Sequence, residues 1–291
     1  MTLLDAYAAG RFGLSFELFP PKTAESEAAL WGNLAELMVF EPALVTCTYG
    51  AGGSTRGKTL DILSGVRARH PAVPVASHLT CVGSTVDDIR AYLHEAAARG
   101  VSGIVALRGD PPQGQETFTA VAGGLRYAAE LVALVRSEFP QFGILVAGYP
   151  ETHQEAVSPA ADLENLARKC AAGGHVVVTQ LFYDNDDFFR FRDRCAGLGI
   201  TAPIVPGVMP VTNYQQIRRI ASLCKARLPD GFTRAFEASG TDEAAQFDAG
   251  VEWAGRQVQG LIAGGVPGIH FYVLNKSLAT VRVLEQVGIQ R

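Results

Sequence analysis

The chain has 291 residues, 48% of them hydrophobic and 19% charged, with a formal net charge of -4. That length suits one large domain with a full core, and the charge balance offers no basic face for nucleic acid or an acidic membrane. No apolar stretch reaches the roughly 18 residues that a membrane span needs, and Met1 to Arg11 lacks the basic-then-apolar layout of an export signal.

The first β-type run is Leu14 to Leu18, stopped by Pro20-Pro21 and carrying Glu17. Further runs follow at Leu44–Thr48, Val75–Thr80, Gly103–Leu107, Ile144–Gly148, Val176–Leu181, Ile204–Val208 and Ile269–Val273. Between them, Ala24–Val39, Val86–Arg99, Ala160–Ala172 and Tyr214–Cys224 place apolar residues at every third or fourth position, as helices do. Ser158-Pro159 reads as an N-cap followed by Pro at the first helical position, and Thr85 reads as an N-cap before two acids. Pro111 to Gly124 reads as a long loop, and Leu228 to Thr241 as a second irregular region.

Eight strands alternating with helices in under 300 residues predict an α/β fold, a TIM (β/α)8 barrel filling residues 1–291 as a single domain. An open doubly wound sheet is the alternative, but no G-x-G-x-x-G follows the first run and no Walker-type loop occurs. The five cysteines, Cys47, Cys81, Cys170, Cys195 and Cys224, form no C-x-x-C. They are expected to be free thiols in a reducing cytoplasm, with no structural metal.

In such a barrel the chemistry sits at the C-terminal ends of the strands. There the sequence places Glu17, then Thr48-Tyr49-Gly50-Ala51-Gly52-Gly53, His78 and Thr80, Arg108-Gly109-Asp110, Tyr149 with Glu151 and His153, Gln180, and Tyr272 with Asn275. Glu17 interrupts an apolar strand that helices cover. A buried Glu needs a partner or a raised pKa, and the second is what a general acid uses. His78 alone reads equally as a satisfied barrel histidine, and Asp162, Asn165 and Lys169 as a solvated helix face. An Arg168-Lys169 pair beside such a stripe also suits the phosphates of a dinucleotide. A barrel with His78, Glu151 and His153 at its mouth leaves a metal-dependent hydrolase or aldolase open.

The stretches "SFELFPPKT", "VTCTYGAGGSTR", "SHLTC", "VALRGDPP", "GYPETHQEA", "ADLENLARK", "VVTQLFYD" and "FRDRC" together resemble methylenetetrahydrofolate reductase in its bacterial form, in the same order from about Phe12 to Asn275. The resemblance implies a TIM barrel that binds FAD without a covalent link. It implies reduction of 5,10-methylenetetrahydrofolate to 5-methyltetrahydrofolate, with NAD(P)H and the folate taking turns at the flavin. Glu17 matches the family's general acid and Asp110 a carboxylate near flavin and pterin. Thr48, Gln180, Gln216 and Lys276 fall at positions that contact substrate. Tyr49, Ala51, His78, Arg108, Gly109, Asp110, Tyr127, Ala128, Tyr149, His153, Asp162, Asn165, Arg168 and Lys169 match FAD contacts.

Three positions depart from the family pattern. Lys276 stands where an Arg is usual, Ile220 where an aromatic is usual, and Gly174 where an Ala is usual. Gly174 is expected to loosen the end of its helix. The resemblance further implies a cytoplasmic homo-oligomer without control by S-adenosylmethionine. A flavin subunit fed by a partner protein is the remaining alternative.

Overall fold

The computed structural model describes residues 3–8, 10–49, 56–111 and 117–290. Its strands are β1 (Gly13–Leu18), β2 (Leu44–Cys47), β3 (Val75–Thr80), β4 (Gly103–Leu107), β5 (Gly143–Gly148), β6 (Val176–Thr179), β7 (Ile204–Val205), β8 (Gly207–Val208) and β9 (Gly268–Tyr272). All pair in parallel, in the order β7-β6-β5-β4-β3-β2-β1-β9-β8. The run Ile204–Val208 is thus two short strands rather than one. Pro206 has no N–H for the ladder, so the strand breaks there. Its first half pairs with β6 and its second half with β9, which closes the cylinder as eight staves. A side chain at Gly207 has no room: a Cβ there would lie 2.3 Å from the Thr179 carbonyl oxygen and 2.6 Å from the Tyr272 ring.

Alternation along each stave sorts its side chains. Leu14, Phe16 and Leu18 face outward into the main core with the helices, beside Leu30, Leu34 and Leu37 of α2 (Ala24–Met38). The inward side holds a second, smaller cluster of Leu44, Ala76, Val105, Leu145, Val176, Val178 and Val205, closed off by Ala6 and Tyr7 at the end of α1 (Leu3–Ala6). Ser15 and Glu17, two residues apart on β1, share this inward face. This explains a carboxylate in an apolar strand: its neighbours cover the barrel wall, and it points into the lumen.

The outer ring also includes α3 (Arg56–Arg69), α4 (Val86–Ala98), α5 (Ala128–Glu138), α6 (Pro159–Ala171) and α7 (Asn185–Gly197). Caps set several of its starts. The Ser158 hydroxyl accepts from the Ala161 N–H at 3.1 Å, with Pro159 in the first turn of α6, and Thr85 forms a reciprocal capping box with Asp88 on α4.

The segment Leu228–Thr241 is not irregular: it contains α9 (Asp230–Ser239), between α8 (Tyr214–Cys224) and α10 (Glu243–Ala263), with α11 (Leu278–Gln286) completing the ring. Phe232 and Phe236, one turn apart on α9, are fully buried among Tyr183, Trp253, Met209 and Val211. Each such side chain contributes about 1.5–3 kcal/mol of burial, so the pair can order a segment whose local sequence signal is weak.

Candidate active site

The inward faces of the staves end in a cleft of about 430 Å³ at the C-terminal mouth. Glu17 stands at its floor. Register puts it level with Thr46 on β2 and Tyr272 on β9. Its Oε2 lies 3.0 Å from His78 Nε2 and 3.5 Å from His270 Nε2. Burial pushes the Glu17 carboxyl upward, but the imidazoles of His78 and His270 together outweigh it and hold the group below the usual carboxylate range. Of the two alternatives for a buried Glu, a partner or a raised pKa, the structure supplies the partner, and the two imidazoles favour the ionised carboxylate.

Thr46 is buried on the same floor and its hydroxyl has no partner, so it offers one hydrogen bond to whatever fills the cleft. Tyr272 spans the lumen and donates its O–H to the Thr179 carbonyl at 2.6 Å.

One wall comes from β4 and β5. Arg108 forms a two-pronged ion pair with Glu155, at 2.8 and 2.6 Å, and its guanidinium lies 5.0 Å from the Phe118 ring centre. Gly109 and Asp110 continue the rim. Tyr149 meets His153 edge to face at 4.6 Å, and Asp162 at the start of α6 accepts the His153 backbone N–H at 2.9 Å. The Lys169 ammonium, on the same helix, donates to the Ala147 carbonyl and lies 5.8 Å from the Tyr149 ring centre. Burial brings Lys169 down to about 8, against the opposing pull of Asp162. Burial, then Arg108, depresses His153.

The remaining expected contacts are spread more widely. Asn165 and Arg168 bond to each other on the solvent face of α6, at 2.9 Å. Tyr127, 63% exposed, and Ala128 sit where α5 begins. Buried Tyr49 stacks edge-on against Tyr92. Thr48 follows β2, and its carbonyl accepts from the Thr59 hydroxyl at 2.8 Å; Thr46 is the threonine that lines the cleft. Ala51 and the glycines around it lie outside the described residues.

Gln180 lines the main cleft, its Oε1 accepting the Leu181 N–H at 2.8 Å. Ile220 and the 67% exposed Leu223 of α8 form an apolar roof. Gln216 and Lys276 line a second cleft of about 220 Å³, which meets the first at Tyr272. Glu151 does not join His78 and His153 as a metal set: it accepts the Arg227 backbone N–H at 2.8 Å, and among the described residues no three ligating groups converge.

Gly174 is also not a simple loosening. A Cβ there would lie 3.0 Å from the Lys169 carbonyl oxygen and 3.0 Å from Val146 Cγ1, so the space an alanine methyl needs is taken by close packing.

The sequence did not single out Ser15 and Tyr7. The Tyr7 hydroxyl donates to Ser15 Oγ at 2.7 Å, and Ser15 Oγ lies 2.8 Å from His270 Nδ1. A signal existed. Polar residues alternate as Ser15-x-Glu17 on β1 and His270-x-Tyr272 on β9, neighbouring staves in register.

A family model described as methylenetetrahydrofolate reductase matches residues 2–288. The 5,10-methylenetetrahydrofolate reductase of Escherichia coli (strain K12) is 37% identical over 281 residues, covering 97% of this chain and 92% of that protein. "Methylenetetrahydrofolate reductase (NADH) 1" of Zea mays is 37% identical over 297 residues, covering 99% of this chain. The chain spans about half the length of the plant relatives it matches, 50% in the maize protein. Among solved structures, a protein from Clostridium thermocellum described as binding two copies of 5-methyl-5,6,7,8-tetrahydrofolic acid superposes with a TM-score of 0.63 at 12% identity, covering 96% of this chain and 95% of that one. At that identity the likeness bears on the fold, which it shares.

Proposed function

The chain belongs to the methylenetetrahydrofolate reductase family, and on that premise we propose that it reduces 5,10-methylenetetrahydrofolate to 5-methyltetrahydrofolate, using FAD and a nicotinamide donor. The observation that carries this reading is Glu17 on the cleft floor, a carboxylate poised between the imidazoles of His78 and His270.

The cleft fits a flavin. Leu107, Leu145, Ala147 and Val178 give it flat apolar walls, the partnerless Thr46 hydroxyl sits on its floor, and Lys169 and His153 stand at one end near Arg108. Apolar walls suit a fused ring system, and the Lys169 ammonium near the Arg108 guanidinium suits a diphosphate. Bound FAD would carry the hydride between nicotinamide and folate.

The chain's own residues supply the rest. Glu17, once protonated, delivers its proton to folate N10. The N10–methylene bond then breaks, the N5 lone pair closes a C=N bond to the methylene carbon, and that carbon becomes able to accept hydride. Glu17 returns to the carboxylate that the two histidines stabilise. Gln180 suits two alternating substrates because its amide both donates and accepts. Asp110 at the rim holds the pterin. Gln216 and Lys276 in the adjoining cleft receive the folate's distal end, where Lys276 offers a point charge rather than an arginine fork. Tyr127, Ala128, Asn165 and Arg168 reach the outer part of the dinucleotide. The plant relatives carry NADH in their names, so NADH is the donor to try first.

The experiment is a pair of half-reactions under anaerobic conditions. The purified protein should be yellow, NADH or NADPH should bleach it, and 5,10-methylenetetrahydrofolate should restore the colour. A colourless protein holding stoichiometric metal, or flavin that the folate cannot reoxidise, would remove this reading.

A further inference from the structure

Beneath Glu17 a line of polar groups runs down the lumen to the closed end of the barrel. The Tyr7 phenol is buried, and burial, against a smaller effect of Ser15, raises its pKa, so it keeps its hydrogen. That hydrogen goes to Ser15 Oγ at 2.7 Å. Ser15 is fully buried and its Oγ has a second neighbour, His270 Nδ1, at 2.8 Å. The Tyr7 hydrogen occupies one acceptor site of Ser15 Oγ and leaves the Ser15 hydrogen able to bridge to His270 Nδ1. In that arrangement Nδ1 accepts and the ring hydrogen sits on Nε2, which faces Glu17 Oε2 at 3.5 Å.

The geometry points to Tyr7 and Ser15 as positioning residues for the proton that Glu17 delivers: their hydroxyls fix His270 with its hydrogen on Nε2, as a permanent donor to the Glu17 carboxylate. This rests on the reading of Glu17 as the acid for folate. Two imidazoles flank Glu17, and they have different tasks. His270, 2% exposed, is locked from behind by Ser15. His78, whose side chain is 12% exposed, lines the cleft and meets Glu17 Oε2 from the open side at 3.0 Å. The other titratable groups near Glu17 are the Tyr272 phenol on β9 and the Cys47 thiol on β2, both raised by burial and then by Glu17 itself, so both stay protonated.

Two readouts test this on the full-length flavoprotein. The first is nitrogen NMR of protein labelled at its six histidines, with His270 assigned through His270→Gln. Wild type should show His270 with hydrogen on Nε2, and Ser15→Ala should show a mixture of tautomers. The second is the pH profile of flavin reoxidation by 5,10-methylenetetrahydrofolate. Losing the fixed donor destabilises the Glu17 carboxylate, so Glu17 holds its proton to higher pH. In Ser15→Ala the alkaline limb should move upward while the plateau rate falls about fivefold, the value of one ordinary hydrogen bond. Tyr7→Phe, which keeps the ring, should move both in the same direction by less, and stands in if Ser15→Ala does not fold.

Hydrogen on Nδ1 in wild type would overturn the inference, as would an alkaline limb in the variants that superimposes on wild type. If wild-type flavin is not reoxidised by the folate, the proposed function fails instead, and the tautomer assignment is still decided by NMR.

Discussion

Asn275 tests how the cleft rim is held. It follows β9 in the left-handed region, φ 56, directly after Leu274 at φ 49. Its side chain clamps the segment that leaves β1: Oδ1 accepts the Phe19 N–H at 3.0 Å and Nδ2 donates to the Phe19 carbonyl at 2.8 Å. The clamp takes the place of a ladder that Pro20 cannot continue. Asn275→Ala removes both bonds, worth about 0.5 kcal/mol each at this exposed site, and places a Cβ without a local hydrogen bond in a conformation that costs about 1 kcal/mol. The sum is roughly 2 kcal/mol, or a fall in melting temperature of about 4–8 °C for a domain of this size. Asn275→Gly removes the bonds without the conformational cost and should lose about half as much. Thermal denaturation of the three proteins at one pH decides. An Asn275→Ala protein that melts with wild type, or a glycine variant that melts below it, would refute the reasoning.

Other outcomes follow from groups packed around the barrel. Lys169 sits at about 8, below the ordinary lysine value of 10.5, so its charge is present below that pH and lost above it. FAD should therefore dissociate more readily as pH rises from about 7 to about 9, and Lys169→Arg, which stays charged, should flatten that rise; a Kd independent of pH in wild type would count against a phosphate role for Lys169. Gly174→Ala should destabilise by about 1 kcal/mol through overpacking against Val146 and the Lys169 carbonyl, read as a lower melting temperature; a gain in stability would show that the neighbours yield freely. Phe236→Ala on α9 should cost about 3–5 kcal/mol in urea unfolding, because the ring is fully buried in the cluster around Tyr183, Met209 and Val211; a loss below about 1 kcal/mol would mean that cluster collapses without cost.

Much of the fold was legible because parallel staves covered by helices read as short apolar runs, and β3 and β4 match their predicted bounds. The break at Pro206 was also written in the sequence, although Ile204–Val208 looks continuous to a hydropathy pattern. Helix α9 was missed because its support is tertiary: Phe232 packs against Tyr183 and Trp253, and Phe236 stacks on Tyr214, all outside the helix itself. The location of Glu17 followed from its strand, but its ionisation did not. His78 and His270 reach it through register between β3, β1 and β9, and they reverse the direction that burial alone would give. The Ser15–Tyr7 chain depends on register in the same way: the alternation Ser15-x-Glu17 and His270-x-Tyr272 is visible in the sequence, but it gains its meaning from β9 lying beside β1.

The central claim is that Glu17 supplies the proton that opens the folate ring. Stopped-flow on Glu17→Gln, loaded with FAD, separates the two halves of the reaction. The account predicts that NADH or NADPH bleaches the flavin nearly as fast as in wild type, while 5,10-methylenetetrahydrofolate fails to restore its colour. Reoxidation by the folate at the wild-type rate would contradict it.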